Sequence, residues 1–221
     1  NYGLSGEVSV TGLMAYNANF QNRPKIATIT PMSWFIFSII GHLANGAAFI
    51  IDKALLSTAF KRSATYAGMV GLLSVFTLIA IPWVKIWPQN TTLIVAVFSG
   101  VTFIFALQTF FAALARAEAS RVVPIVGSLI PVLTLTGTYF FLGERLTGAQ
   151  LLGFLFLVVA TAILSSSGGI KRPDARTIAF AITSALLFAA GSVSAKAVYD
   201  QVGFLSGLVV TRIAAAATAL L

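Results

Sequence analysis

The sequence predicts an all-α integral membrane protein with about seven transmembrane helices. Three observations carry that reading. Aliphatic and aromatic residues make up 58% of the chain and charged residues only 9%, against roughly 25% charged residues in soluble domains. Seven apolar runs approach the roughly 20 residues a helix needs to cross a hydrocarbon core of about 30 Å. Most of the fourteen Lys and Arg, against six Asp and Glu, fall between those runs instead of forming one patch, as in loops that anchor topology. The formal charge of +8 therefore does not point to nucleic acid. No Cys is present, which excludes disulfides and thiolate metal sites. With a single His and no HExxH, GxSxG, P-loop or GxGxxG pattern, the residues offer no metal, hydrolase or nucleotide motif, and no cofactor is expected.

The leading segment Asn1–Pro31 is polar and Asn-rich, and MSWFIFSII begins at Met32 directly ahead of a hydrophobic span. Met32 is the expected start, and Asn1–Pro31 is expected to be a non-membrane leader that need not belong to the native protein. The first span, Ser33–Leu56, is too long for the apolar region of a signal peptide and lacks a small-residue cleavage site. At 100° per residue its His42, Asn45, Phe49 and Asp52 share an arc of about 80°. His42 lies about 14 Å along the span, close to the midplane, where ionisable groups usually face a cavity or a partner. The alternative is a neutral imidazole hydrogen-bonded to a neighbouring helix. Asp52–Lys53, near the end of the span, reads as an interfacial pair.

The following spans are Ala64–Trp83, Thr92–Ala115, Val122–Leu142, Gln150–Ser165, Thr177–Val198 and Leu205–Leu221. Trp34, Trp83, Trp87 and Tyr199 sit near proposed ends, where amphipathic rings favour the interface. The third span offers Gln108, together with Phe103, Phe105, Phe110 and Phe111 as an aromatic wall or as lipid-facing rings. The fourth carries Pro124, Ser128, Pro131, Leu135 and Tyr139 on one face; proline frees a carbonyl one turn back, so this face suits either a cavity wall or helix packing. Glu144–Arg145 follows the fourth span where water begins, with Gly143 and Gly148 permitting a tight turn; the pair reads as structural, the alternative being a gate contact. On the sixth span Thr183, Ser184 and Ser192 are either interhelical hydrogen-bonding groups or ligand contacts. Asn45, Gln108 and Ser128 are expected to face a shared cavity.

The stretch ALARAEASRVVPIVGSLIPVLTLTGTYFFLGERLTGAQLLGFLFLVVATAILSS resembles the EamA-domain family of the drug/metabolite transporter superfamily. Ala119, Ser120, Pro124, Pro131, Gly143, Glu144, Arg145, Leu146, Thr147 and Gly153 fill the family's pattern in order. Gly191, Ser192, Lys196 and Arg212 fall where such residues stand in the opening of the family's second domain. The resemblance implies a ten-span inverted-repeat transporter: a first five-helix repeat at 32–166, a linker at 167–176, and a truncated second repeat at 177–221. The first span departs from the pattern with LANG and Asp52–Lys53, and the second lacks an Arg matching Arg212.

The resemblance implies a secondary transporter of small organic metabolites or drug-like compounds, an exporter working by alternating access in the plasma (inner) membrane. A small-molecule substrate and the lipid bilayer are then its partners. The alternatives are a structural or partner-binding membrane protein without transport activity, and an intramembrane enzyme, which the missing catalytic motifs disfavour. The substrate-cavity candidates are His42, Asn45, Gln108, Ser128, Pro131 and Ser192, with Gly143, Glu144 and Arg145 as a structural motif. On orientation two arguments conflict. Eight basic residues fall in the first, third and fifth connections, which places the start of the first span outside by the positive-inside rule; the resemblance implies cytoplasmic termini.

Overall fold

The computed structural model describes residues 31–60, 62–166 and 173–221. Residues 1–30 of the leader, and 167–172 of the linker, lie outside the described residues. The described chain is helical: α1 Pro31–Thr58, α2 Ser63–Leu72, a 3-10 segment Leu73–Trp83, α3 Asn90–Arg116, α4 Ala119–Leu142, α5 Gly148–Ser166, α6 Ala175–Val202 and α7 Phe204–Ala219. Five helical stretches are long and apolar enough to cross a membrane, and α5 and α7 are shorter apolar helices. The chain divides at Asn45 into two units. The first contributes the beginning of α1, whose described side chains are exposed; the second holds everything from Gly46 onward.

Within the second unit α3 is the central helix, packed against α6, α7, α2 and α4. Its sequence explains why. Thr92, Ser99, Ala106 and Ala113 recur every seven residues, and the last three are buried. Facing them, Thr177, Ser184, Gly191 and Val198 of α6 repeat the same interval and are all buried. Two seven-residue stripes of small and hydroxyl side chains let antiparallel helices approach closely along their length. Three hydrogen bonds mark the register. Thr92 Oγ1 donates to Gln201 Oε1 at 2.6 Å, Ser99 Oγ to the Gly191 carbonyl at 2.9 Å, and Ser184 Oγ to the Ala106 carbonyl at 3.1 Å. Ser184 is therefore an interhelical hydrogen-bonding group.

The second predicted span is not one regular α-helix. From Leu73 it tightens into 3-10 geometry, where Val75, Thr77, Ile79 and Ile81 are β-branched and Pro82 has no N–H to donate. At about 2.0 Å rise per residue, against 1.5 Å in an α-helix, α2 plus this segment reaches roughly 37 Å, long enough to cross a bilayer. Its large side chains, Phe76, Ile79 and Trp83, are exposed, as suits a surface solvated by lipid.

Alternating helix directions bring the end of α1, the end of α3 and the starts of α4 and α6 together. Lys53, Arg116, Glu118, Arg121 and Asp174 line one opening of about 530 Å³ there. Asp52 and Lys53, read from the sequence as an interfacial pair, each find a partner on another helix. Asp52 accepts a hydrogen bond from Tyr66 Oη at 2.6 Å, while Lys53 Nζ donates to the Leu114 and Ala117 carbonyls at 2.7 and 2.9 Å. An ammonium on the last carbonyls of α3 satisfies orphan acceptors and offsets the negative helix end. Lys53→Met is expected to lower stability by about 1–2 kcal/mol, read as the unfolding midpoint in detergent. An unchanged midpoint would mean that water caps α3 equally well.

Two further caps set helix starts. Asp174 accepts from the Thr177 N–H at 2.9 Å, and hydrogen bonding from Thr177, side chain and then backbone, holds its carboxyl below the usual carboxylate range. Thr147 and Gln150 form a reciprocal capping box ahead of α5, with Thr147 N–H donating to Gln150 Oε1 at 2.9 Å and the Gln150 N–H to Thr147 Oγ1 at 3.4 Å. Between α4 and α5, Gly143 adopts a left-handed conformation at φ 68°, which its missing Cβ permits, and the Glu144 N–H returns to the Thr138 carbonyl. Glu144 then pairs with Lys196 of α6 at 2.9 Å, tying the end of the fourth helix to the sixth.

Candidate functional site

Where α6 and α7 close on the middle of α3, the backbones meet at glycines. A Cβ on Gly100 would lie 2.6 Å from both the Thr211 carbonyl oxygen and the Ala215 nitrogen, and one on Gly191 would lie 2.9 Å from Thr102 Oγ1. Larger side chains flank this contact and hold open a cavity of about 260 Å³. Its walls are Ser99, Gly100 and Phe103 of α3, Phe188, Gly191, Ser192, Ala195 and Tyr199 of α6, and Thr211 and Arg212 of α7. Phe103 and Phe188 meet edge to face at 6.0 Å and form its apolar side. Two of the polar lining groups are already bonded, Ser99 to Gly191 and Thr211 Oγ1 to the Gly207 carbonyl of its own helix at 2.9 Å.

Arg212 dominates the electrostatics. Its guanidinium carbon sits 4.1 Å from the centroid of the Phe103 ring, and the residue lies about 12 Å along α7. A cation at such depth costs about 2.5–3.5 kcal/mol on insertion scales, and a ring face returns about 0.5–2 kcal/mol. A nearby carboxylate would close the gap, yet among the described residues none lies within 4.0 Å of the guanidinium. Each is engaged elsewhere: Asp52 with Tyr66, Glu118 with Ser120, Glu144 and Asp200 with Lys196, and Asp174 at the start of α6.

Of the six sequence candidates, Ser192 lines this cavity. Gln108 is half-buried on α3, two turns beyond Gly100. Ser128 is half-buried on α4 and donates to its own helix at the Ile125 carbonyl, 3.0 Å away, and Pro131 is half-buried one turn further. His42 and Asn45 have exposed side chains on α1. The aromatic residues of α3 separate by face: Phe110 and Phe111 are buried, Phe103 is half-buried and Phe105 is exposed. Sequence reasoning passed over Arg212 as a cavity residue, although the depth argument applied to His42 holds equally for an Arg inside LVVTRIAAAATAL. Among the described residues no group of three or more His, Cys, Asp or Glu could hold a metal ion.

No curated protein and no solved structure matches the chain. A family model does, over residues 32–166, the stretch folded here as α1 to α5. That match takes in more than half of the 221 residues and includes the Pro-bearing α4 and the Gly143–Thr147 connection described above. Several long apolar helices with exposed apolar side chains and a family model of this extent place the chain in the EamA-like transporter family.

Proposed function

We propose that the chain works as a secondary transporter that exports small organic metabolites or drug-like compounds by alternating access. The observation that carries the proposal is the cavity at Ser192, Phe103 and Arg212, where α3 of the family match meets the two helices that follow that match. A unit with an odd number of crossings forces any following copy to enter from the opposite face. Such inverted pairs rock about a site near the midplane. Ser192 on α6, Gln108 on α3 and Ser128 and Pro131 on α4 are the residues proposed to act on the substrate; His42 and Asn45 on α1 remain separate candidates from their place in the sequence.

Counterflow in proteoliposomes containing the full-length protein tests this reading. Preloaded metabolite should accelerate entry of labelled metabolite, and Ser192→Ala and Gln108→Ala should change half-saturation more than folded yield. Protein that is folded and inserted but gives no counterflow across amino acids, organic acids and organic cations would favour a structural or partner-binding role instead.

A further inference from the structure

We infer that Arg212 anchors the carboxylate of the transported molecule, a small organic anion whose apolar body lies against Phe103 and Phe188. The inference rests on the transporter reading and narrows its substrate class. A guanidinium stacked on a ring, here 4.1 Å from the Phe103 centroid, keeps its N–H donors in the plane of the group and free at the edge. That edge matches the two oxygens of a carboxylate. The five carboxylates of the described residues all have other partners, so the anion this cation faces is not supplied by them. Ser192 and Tyr199 add hydroxyls to the same lining. The volume, about 260 Å³, is below the usual range of roughly 300–1,000 Å³ for drug-sized ligands and suits a compact molecule. A cationic substrate would meet like charge, and a neutral one would leave the guanidinium unpaired in a low-dielectric wall.

Three probes that share one body and differ in head group read this directly: 3-phenylpropionate, 3-phenylpropylamine and 3-phenylpropanol, measured by equilibrium binding to the purified full-length protein. The carboxylate should bind at least about tenfold more tightly than the other two, as expected for a charge-assisted bond. Arg212→Gln should weaken carboxylate binding about ten- to hundredfold and leave the amine unweakened. Arg212→Lys, which keeps the charge without the planar fork, should fall between. Failure of the carboxylate to bind more tightly than the amine and the alcohol overturns the inference, as does a monodisperse Arg212→Gln protein that binds it as the parent does. If Arg212→Gln does not fold, the head-group series on the parent protein decides alone. Counterflow separates this outcome from that of the transporter reading. Exchange of the amine or alcohol in preference to the carboxylate leaves a transporter and removes the anion site. Carboxylate binding that depends on Arg212 without any exchange keeps the site and removes the transporter.

Discussion

Gly100→Val is expected to cause the largest loss of stability of any single change at the α3–α7 contact. Even the alanine Cβ would lie 2.6 Å from the Thr211 carbonyl oxygen, the Ala215 nitrogen and the Ala214 Cβ. Two of these are backbone atoms of α7, which cannot rotate away as a flexible side chain would. Relief requires the helices to separate, and close dispersion contact is what holds small-residue interfaces together in a bilayer, where apolar burial gives no driving force of its own. Gly100→Ala should therefore cost about 1–3 kcal/mol, and Gly100→Val more, with loss of the adjoining cavity. The control has the opposite sign. Nothing lies within 4 Å of a Cβ on Gly153 in α5, so Gly153→Ala should be neutral or stabilise by up to about 1 kcal/mol through helix propensity. Unfolding midpoints in mixed micelles compare the two, and equal midpoints for Gly100→Ala and Gly153→Ala would remove the close-packing argument.

Phe111→Ala should produce the next largest effect. The side chain is 1% exposed and its ring stands 4.7 Å from Tyr66 and 5.6 Å from Phe110, centroid to centroid. Through Tyr66 it also supports the hydrogen bond to Asp52. In a water-soluble core such a truncation costs about 3–5 kcal/mol. Here the alternative environment is lipid, so most of the transfer contribution disappears and the cavity remains, leaving about 2–3 kcal/mol. Phe156→Ala on α5, where the ring is 73% exposed, should stay within about 0.5 kcal/mol. A Phe111→Ala protein that unfolds with Phe156→Ala would show that the aromatic cluster adjusts without loss.

The helix list was legible in the sequence because crossing a bilayer imposes a length and a polarity on each segment separately. The fourth span, read as Val122–Leu142, is α4 Ala119–Leu142, and the sixth, read as Thr177–Val198, is α6 Ala175–Val202. The added residues are at the ends, where the backbone keeps hydrogen bonding past the hydrocarbon edge that hydropathy detects. Asp174, and the Thr147–Gln150 box, mark those ends by side-chain capping. Thr147-Gly-Ala-Gln150 has the Thr-x-x-Gln spacing of a capping box, a local signal that the span reading by hydropathy does not use. The 3-10 geometry after Leu72 was not readable in the same way, because hydropathy is blind to rise per residue.

By itself the sequence determined that this chain is a set of membrane-crossing helices with most charges at or beyond their ends, and its GERLT-centred pattern indicated the family. Those are properties of single segments, set by the transfer free energy of each residue and by local turn chemistry. The tertiary structure decided which segments meet. It placed α3 in the middle, paired its seven-residue stripe with that of α6, sent Lys53 to the end of α3 and Glu144 to Lys196. It also turned Arg212 onto Phe103 beside Ser192. These are pairwise contacts between residues up to about a hundred positions apart, such as Thr92 with Gln201. In lipid they are selected by close packing and by satisfaction of polar groups, energies that exist only once two helices are side by side.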